Sequence, residues 1–305
     1  MRRTPIALLS CVALSVSALA ACGSDSLENT SSGGSGDSPS SEVSITKDDK
    51  LAAMVPAEIA QKGTLQIGTD ASYAPAEFLD ADGKTVKGYD VDLMDAVATK
   101  LGLKTDWKPS KFDSIITGVL GKKYDAGVSS FTINAKRMEQ VNMVSYFNAG
   151  TLWATAPDNP KNVDPTKPCG LTIAVQKGTV QEEEDMPAKV KECKDSGKPV
   201  DLLIYEGQDQ ATAAVASGKA DAMLADSPVV AYAVKQSGGK IESLGEIYDS
   251  APYGFVVPKE QTELADALVE TLKSMKEDGS YEQILKNWGV EGGAIDNFEV
   301  NPKTS

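Results

Sequence analysis

Two stretches of this chain leave a helix and enter a strand in the same way, and that echo constrains the fold more than any single motif. Gly121-Lys122-Lys123-Tyr124-Asp125-Ala126 matches Gly218-Lys219-Ala220-Asp221-Ala222 with one residue gapped, and Leu65-x-Ile67 matches Leu171-x-Ile173. The segments around them follow one order. Leu65 to Thr69 alternates as a short strand; after the Asp82-Gly83 turn, Leu93, Met94, Val97, Ala98 and Leu101 make the apolar face of a helix that opens at Asp90 and stops at Gly102. A strand at Thr105 to Trp107, a helix with Ile115, Ile116, Val119 and Leu120, and a strand from Tyr124 to Val128 follow. The order returns as a strand from Leu171 to Val175, a helix opening near Thr179, a strand from Leu202 to Tyr205, an Ala-rich helix from Asp209 to Ser217 and a strand from Ala220 to Leu224. Alternating β and α segments predict an α/β fold with mainly parallel sheets flanked by helices. The repetition predicts two similar lobes.

In open sheets of this kind ligands sit beyond the carboxyl ends of the strands. The echo sets Asp70 level with Gln176 and Ser130 level with Asp226, so these residues and Ser129 face one kind of crevice, and a cleft between the lobes is the economical result. Beyond Ile241 to Leu244 and Gly254 to Val257, a long helix repeats Leu264, Leu268, Leu272 and Met275, and a last one runs from Tyr281 to Trp288. Packing of this tail on the first lobe makes the chain cross twice, near Gly150 to Leu152 and near Ala251 to Tyr253, which is a hinge. Lobe 1 is then residues 51–150 plus 253–300, and lobe 2 is residues 151–252.

Arg2 and Arg3 precede an apolar run from Ile6 to Ala21 that ends in Leu19-Ala20-Ala21-Cys22. A positive start, a short apolar stretch and small residues before a cut predict an export signal over residues 1–21, too short for a convincing membrane span. The pattern resembles the lipobox of bacterial lipoproteins, which implies a lipidated Cys22 holding the protein at the extracytoplasmic face of the cell membrane. Ser and Gly dominate residues 29–41, so residues 22–50 read as the lipidated cysteine and a flexible tether. With Cys11 in the signal and Cys22 lipidated, Cys169 and Cys193 remain as a pair in an oxidising compartment, and a disulfide is expected.

A formal net charge of -14 argues against nucleic acid as a partner, because counterion release needs a basic face. The chain has no His, which removes Ser-His-Asp and Cys-His catalysis and every His-based metal site. Neither cofactor nor metal is expected. Carboxylate acid-base chemistry stays open.

Ser129-Ser130-Phe131-Thr132 followed by Arg137 places hydroxyls and a permanent cation directly after a buried strand. Arg offers a planar fork that meets both oxygens of a carboxylate, and Ser and Thr add neutral hydrogen bonds beside it. Taken alone, the segment suits a carboxylate site or a solvated loop. Tyr73 and Phe112 suit ligand walls or core aromatics, and Asp226, before Ser227-Pro228, also suits a helix entry.

From about Leu51 to Val290 the chain resembles the polar amino-acid solute-binding proteins of ABC importers, the family 3 type of periplasmic binding protein. The motifs that carry the resemblance are Asp70-x-x-Tyr73-x-Pro75-x-Glu77-Phe78, Gly88-Tyr89-Asp90-Val91-Asp92-Leu93, Phe112-Asp113-x-Ile115-Ile116, Ser129-Ser130-x-Thr132-x-x-x-x-Arg137, Gly178-Thr179 and Asp221-Ala222-x-x-x-Asp226. The resemblance implies the two-lobe type II fold and a monomer that closes on an amino acid and delivers it to the transmembrane subunits of an ABC transporter.

It also implies roles. Arg137 clamps the α-carboxylate, helped by Thr132 and the backbone N–H groups of Thr179 and Val180. Asp226 takes the α-ammonium with Ser130, and Asp70 approaches the same group. Tyr73 and Phe112 wall the side chain, and Gln176 is a candidate contact to it. Val180 stands where relatives often carry a hydroxyl, and Ala76 replaces a usual aromatic. Glu77 and Asp92 are left as structural residues. The competing function is an enzyme on the same scaffold, similar to a cyclohexadienyl dehydratase, with Asp70 or Glu77 as general acid.

Overall fold

The structure is a computed structural model, and it describes residues 43–304. The expected export signal, Cys22 and residues 22–42 of the expected tether lie outside the described residues, whereas residues 43–50 belong to the fold: Val43 and Ile45 pack against the core and Asp48 N–H donates to Lys100 O at 2.9 Å. Among those residues, no helix is long and apolar enough to cross a membrane.

The strands are β1 (Thr64–Thr69), β2 (Ser72–Tyr73), β3 (Glu77–Leu79), β4 (Val86–Lys87), β5 (Lys104–Pro109), β6 (Ala126–Gly127), β7 (Val141–Thr155), β8 (Thr172–Gln176), β9 (Asp201–Tyr205), β10 (Ala222–Asp226) and β11 (Glu242–Pro258). The helices are α1 (Asp49–Ala52), α2 (Ala57–Lys62), α3 (Tyr89–Lys100), α4 (Phe112–Leu120), α5 (Ala135–Gln140), α6 (Met186–Asp195), α7 (Gln208–Ala216), α8 (Ser227–Gln236), α9 (Thr262–Glu277) and α10 (Ser280–Trp288). One eight-stranded sheet has the order β5-β1-β6-β11-β7-β10-β8-β9, and β2-β3-β4 form a small sheet of their own.

The two wings of the large sheet repeat each other. β5-β1-β6 and β9-β8-β10 are both parallel, each with its second strand outermost and its first in the middle. The repeat reaches single hydrogen bonds. Asp125 N–H donates to Gln66 O at 2.8 Å and its carboxylate accepts from Gln66 N–H at 2.7 Å; Asp221 and Thr172 make the same two bonds, both 2.8 Å. The aspartate of the echo thus ties each helix-to-strand turn to the first strand of its wing.

β7 and β11 join the wings and pair with each other antiparallel, from Val141↔Pro258 to Thr155↔Glu242. Their register shifts between Leu244 and Tyr248, between Tyr248 and Ala251, and between Tyr253 and Gly254. Bulges of this kind bend a strand. The expected crossings at Gly150 to Leu152 and Ala251 to Tyr253 fall inside these two strands.

Three elements differ from the sequence reading. The strand expected from Tyr124 to Val128 narrows to β6, although Val128 N–H still reaches Gly68 O at 3.0 Å. Ile241 to Leu244 and Gly254 to Val257 belong to one strand, because Asp249 takes a left-handed turn (φ 49°) and Pro252 still pairs with Asn148. Past Thr179 the chain first winds a π-helical turn, Gln181–Asp185, and only then α6.

The amphipathic α9 behaves as its spacing predicts. Leu264, Leu268, Leu272 and Met275 are buried in one cluster with Leu93, Val97 and Leu101 of α3. Each such leucine contributes about 1.5–3 kcal/mol of burial. In the second wing Cys169 and Cys193 form the expected disulfide, which links the segment before β8 to α6.

Candidate functional site

Each parallel strand delivers polar residues at its carboxyl end. Asp70 follows β1, Ser129 and Ser130 follow β6, Gln176 ends β8 and Asp226 ends β10. Between the wings Tyr73, Phe112, Ser130, Thr132 and Arg137 meet Thr179, Val180, Gln181 and Asp226 around one small cavity of about 10 Å³. That is room for about one water-sized sphere. An amino acid, on the order of ten heavy atoms, is larger than this space.

Arg137 is placed by a cap. Asn134 precedes α5 and its side chain accepts Arg137 N–H at 2.8 Å, which fixes the arginine in the first turn. The guanidinium is buried, donates to Thr132 O at 2.7 Å and Gly178 O at 3.0 Å, and lies 5.5 Å from the ring centres of both Phe112 and Phe131. It has no ion pair among the described residues. Burial pulls its pKa below the ordinary arginine value, while Glu183 and Glu184 oppose that from a distance. A desolvated cation held by carbonyls keeps an unmet demand for an anion.

Gly178 approaches from the other wing. Its φ of 78° is left-handed, and a Cβ there would sit 2.9 Å from the Asp113 Cβ of α4. Only glycine lets this loop come so close. Around the mouth Lys136 pairs with Glu183 at 2.6 Å, Lys177 with Asp113 at 2.9 Å and Lys111 with Glu206 at 2.8 Å, all exposed pairs between the wings.

Asp226 occupies the N-cap position of α8, yet its side chain makes no capping bond. It turns into the cavity. Oδ2 accepts from Tyr73 Oη at 2.8 Å and from Tyr253 Oη at 2.6 Å, and Oδ1 accepts from Gln181 Nε2 at 2.8 Å. Burial raises its pKa, and these three donors act against that rise. The three donors and the nearby Arg137 favour the ionised form of this buried carboxyl, while burial opposes it.

Not every expected residue reaches the cavity wall. The Asp70 carboxylate accepts Phe112 N–H at 2.9 Å at the start of α4 and also serves Ser72, and burial pushes its pKa up to about 6. Ser129 bridges Asp70 N–H at 2.9 Å and the Glu77 carboxylate at 3.0 Å, behind Ser130. Gln176 is buried beside the wall; its Nε2 reaches Glu206 O at 3.4 Å, and its Oε1 has no partner.

Two residues went unread in the sequence. Gln181 lines the cavity and bonds Thr151 as well as Asp226. Tyr253 comes from the joining strand and is brought there by a bridge between its backbone and that of Thr132. The signal for Tyr253 was its place at a crossing; Gln181 sits before four acidic residues that mimic a solvated face.

A buried cation and a buried carboxyl thus face one cavity between two similar wings. Residues 65–291 match the family described as bacterial extracellular solute-binding proteins, family 3, and the chain belongs to that family. It is 38% identical over 253 residues to the Arginine-binding protein ArgT of Corynebacterium glutamicum, covering 83% of each chain. It is 31% identical to the Lysine/arginine/ornithine-binding periplasmic protein of Escherichia coli, over 74% of this chain and 87% of that one.

Among solved structures, an ancestral arginine-binding protein bound to arginine is similar with a TM-score of 0.68 and 33% identity, over 74% of this chain and 98% of that one. The ancestral amino acid-binding protein AncCDT-1, a precursor of cyclohexadienyl dehydratase, gives 0.67 and 33%, over 76% and 97%. These relatives are named as binding proteins, and the fold is theirs.

Proposed function

We propose that this protein is an extracytoplasmic, lipid-anchored receptor that closes on an amino acid and hands it to the transmembrane subunits of an ABC importer. The buried, unpaired guanidinium of Arg137 beside Asp226 carries the reading. Arg137 takes the α-carboxylate as a bidentate pair, with Thr132 and the N–H groups of Thr179 and Val180 around it. Asp226 and Ser130 take the α-ammonium, exchanging a tyrosine hydroxyl for the ligand's N–H. Tyr73 and Phe112 flank the side chain, with Asp70 and Ser129 supporting them from behind, and the orphan Oε1 of Gln176 is the acceptor that a polar side chain would meet.

Closure moves residues 51–150 plus 253–300 against residues 151–252, and the importer reads the closed form. Residues 1–21 direct export, Cys22 carries lipid, the stretch from there to the packed Val43 tethers the folded part, and the protein works as a monomer. A basic side chain is the first choice of ligand, since the relatives at 38% and 31% identity are named for arginine and for lysine, arginine and ornithine. Acid-catalysed dehydration at this site is set aside, because neither candidate acid lines the cavity: Asp70 is committed to Phe112 N–H and Ser72, and Glu77 lies behind Ser129.

The test is calorimetry and thermal shift on ligand-stripped protein with the common amino acids. Arginine is expected to give the largest shift, and a ligand at about a thousand times its dissociation constant adds about 4 kcal/mol. No shift with any amino acid overturns the reading.

A further inference from the structure

Glu77 and Asp90 are both 0% exposed, and neither forms an ion pair among the described residues. Backbone geometry forces them together. Gly88, at the N-cap of α3, has φ 140°, and a Cβ there would lie 1.9 Å from Ala76 O. This close approach lets Tyr89 N–H donate to Pro75 O and Asp90 N–H to Ala76 O, both at 3.1 Å, which docks Glu77 against the first turn of α3.

The two carboxyls hold the turn that presents Ser130 to the cavity. Ser129 Oγ donates to Glu77 Oε1 at 3.0 Å. Ser130, in the left-handed region at φ 49°, donates its N–H to Asp90 Oδ2 at 3.0 Å, and its hydroxyl lies 3.2 Å from that oxygen and 3.4 Å from Glu77 Oε2. A serine rarely adopts that backbone shape without outside support. Tyr146 Oη, 2.6 Å away, is a further donor to Asp90 Oδ2, whereas Oδ1 is buried with no N–H or hydroxyl to accept from. Two ionised carboxylates gathered around one serine hydroxyl, without a cation, repel in a medium where neither is hydrated. A single proton between them removes the repulsion and gives Oδ1 its donor.

We propose that Glu77 and Asp90 share one proton at neutral pH and together act as positioning residues, locking Ser129 and Ser130 into the turn that meets the ligand. The inference rests on the reading of the cavity as an amino-acid site. The groups that bear on the pair are Asp70 at the end of β1, Tyr73 on β2, Tyr89 on α3 and Tyr146 on β7, with Asp226 acting on Tyr89; none is a cation. Burial and then the Asp90 charge push Glu77 well above the ordinary glutamate value, which favours its protonated form. Burial raises Asp90 as well, and the Tyr146 hydroxyl counters it. A folded-state value raised for an acid gives stability that is fully present below the unfolded value and is lost as pH rises through the folded one.

Wild type, Glu77→Gln and Glu77→Ala are to be compared by infrared spectroscopy of the carboxyl region, by thermal midpoint from about pH 5 to about pH 9, and by calorimetry with arginine. A protonated-carboxyl C=O band at neutral pH is expected in the wild type and absent from Glu77→Gln, which keeps a donor and an acceptor in place. The midpoint of the wild type should fall toward alkaline pH more steeply than that of Glu77→Gln. Affinity should survive Glu77→Gln within about threefold and drop at least about tenfold in Glu77→Ala.

If Glu77→Ala fails to fold, Asp90→Asn takes its place; removing the Asp90 charge should make the alkaline fall of the midpoint shallower than in the wild type. A wild type without the band, or a Glu77→Gln variant with the wild-type pH profile, overturns the shared proton. Binding of no amino acid by the wild type would sink the receptor reading instead, while the band and the pH profile still decide whether the proton is shared.

Discussion

Tyr253 Oη donates a 2.6 Å hydrogen bond to Oδ2 of Asp226, so a side chain of the strand that joins the wings holds the carboxylate at the end of β10. Tyr73 adds a second hydroxyl from the small sheet, and Asp226 N–H donates back to that hydroxyl at 3.2 Å. The charge that faces Arg137 is thus kept by donors from both sides of the cavity.

Tyr253→Phe removes one donor from a buried carboxylate and should lower stability by roughly 1.5–3 kcal/mol. Urea unfolding reads this as a lower midpoint with an unchanged slope. Tyr253 also opposes the burial-driven rise of the Asp226 pKa. The variant's amino-acid affinity should therefore begin to fall at a higher pH than that of the wild type as the solution is acidified, because an ammonium needs the ionised carboxylate.

Neighbouring cations should behave in opposite ways. Arg137→Met is expected to weaken amino-acid binding by at least about a hundredfold, since two charge-assisted bonds vanish, while the thermal midpoint without ligand stays within a few degrees because a desolvated charge is replaced by apolar packing. Lys136→Met breaks only an exposed pair with Glu183 and should change affinity by less than about threefold. Calorimetry on both variants checks the contrast, and equal losses would refute it.

The disulfide should matter to stability and not to recognition. Cys169 and Cys193 are 24 residues apart in sequence and lie outside the cavity wall. Replacing both by Ser should cost about 3 kcal/mol in the chain-entropy account. Ligand affinity, measured below the lowered melting transition, should be unchanged.

Asp70 gives stability a dependence on mild acid. Its pKa rises from 3.8 to about 6 through burial, so its contribution is fully present below 3.8 and is lost as pH rises through about 6. The full change is on the order of 3 kcal/mol. Urea midpoints collected across that window should show a shallower pH dependence for Asp70→Asn than for the wild type. An unchanged dependence would assign the effect to another carboxyl.

Much of this architecture was legible because local chemistry and long-range order agree. The aspartates of the two echoes do the same job in both wings, and the four-and-three spacing of Leu264, Leu268, Leu272 and Met275 buries as it reads. The continuity of β11 was hidden by Asp249, Ser250 and Pro252, which punctuate a sequence locally but are overridden by pairing with β7. Within the site, residues anchored to strand ends could be counted out from the echo. Gln181 could not, because a π-helical turn has no periodic signature and the acids after it suggest solvent. Glu77 and Asp90 looked like ordinary acids; only the glycine-enabled contact between Ala76 and Gly88 brings them face to face.

β7 and β11 are paired with each other where they pass between the wings, with register shifts near Tyr248 and Tyr253. The joint behaves like a leaf hinge whose pin crosses two strands and whose knuckles are the bulges near Tyr248 and Tyr253. Rotation about such a pin displaces atoms in proportion to their lever arm. On the proposed closure the outermost strands, β5 on one rim and β9 on the other, would therefore travel farthest. On the proposed closure, occupancy of a cavity hidden between the wings would be broadcast at the rims of the molecule, where another protein could sense it without touching the ligand.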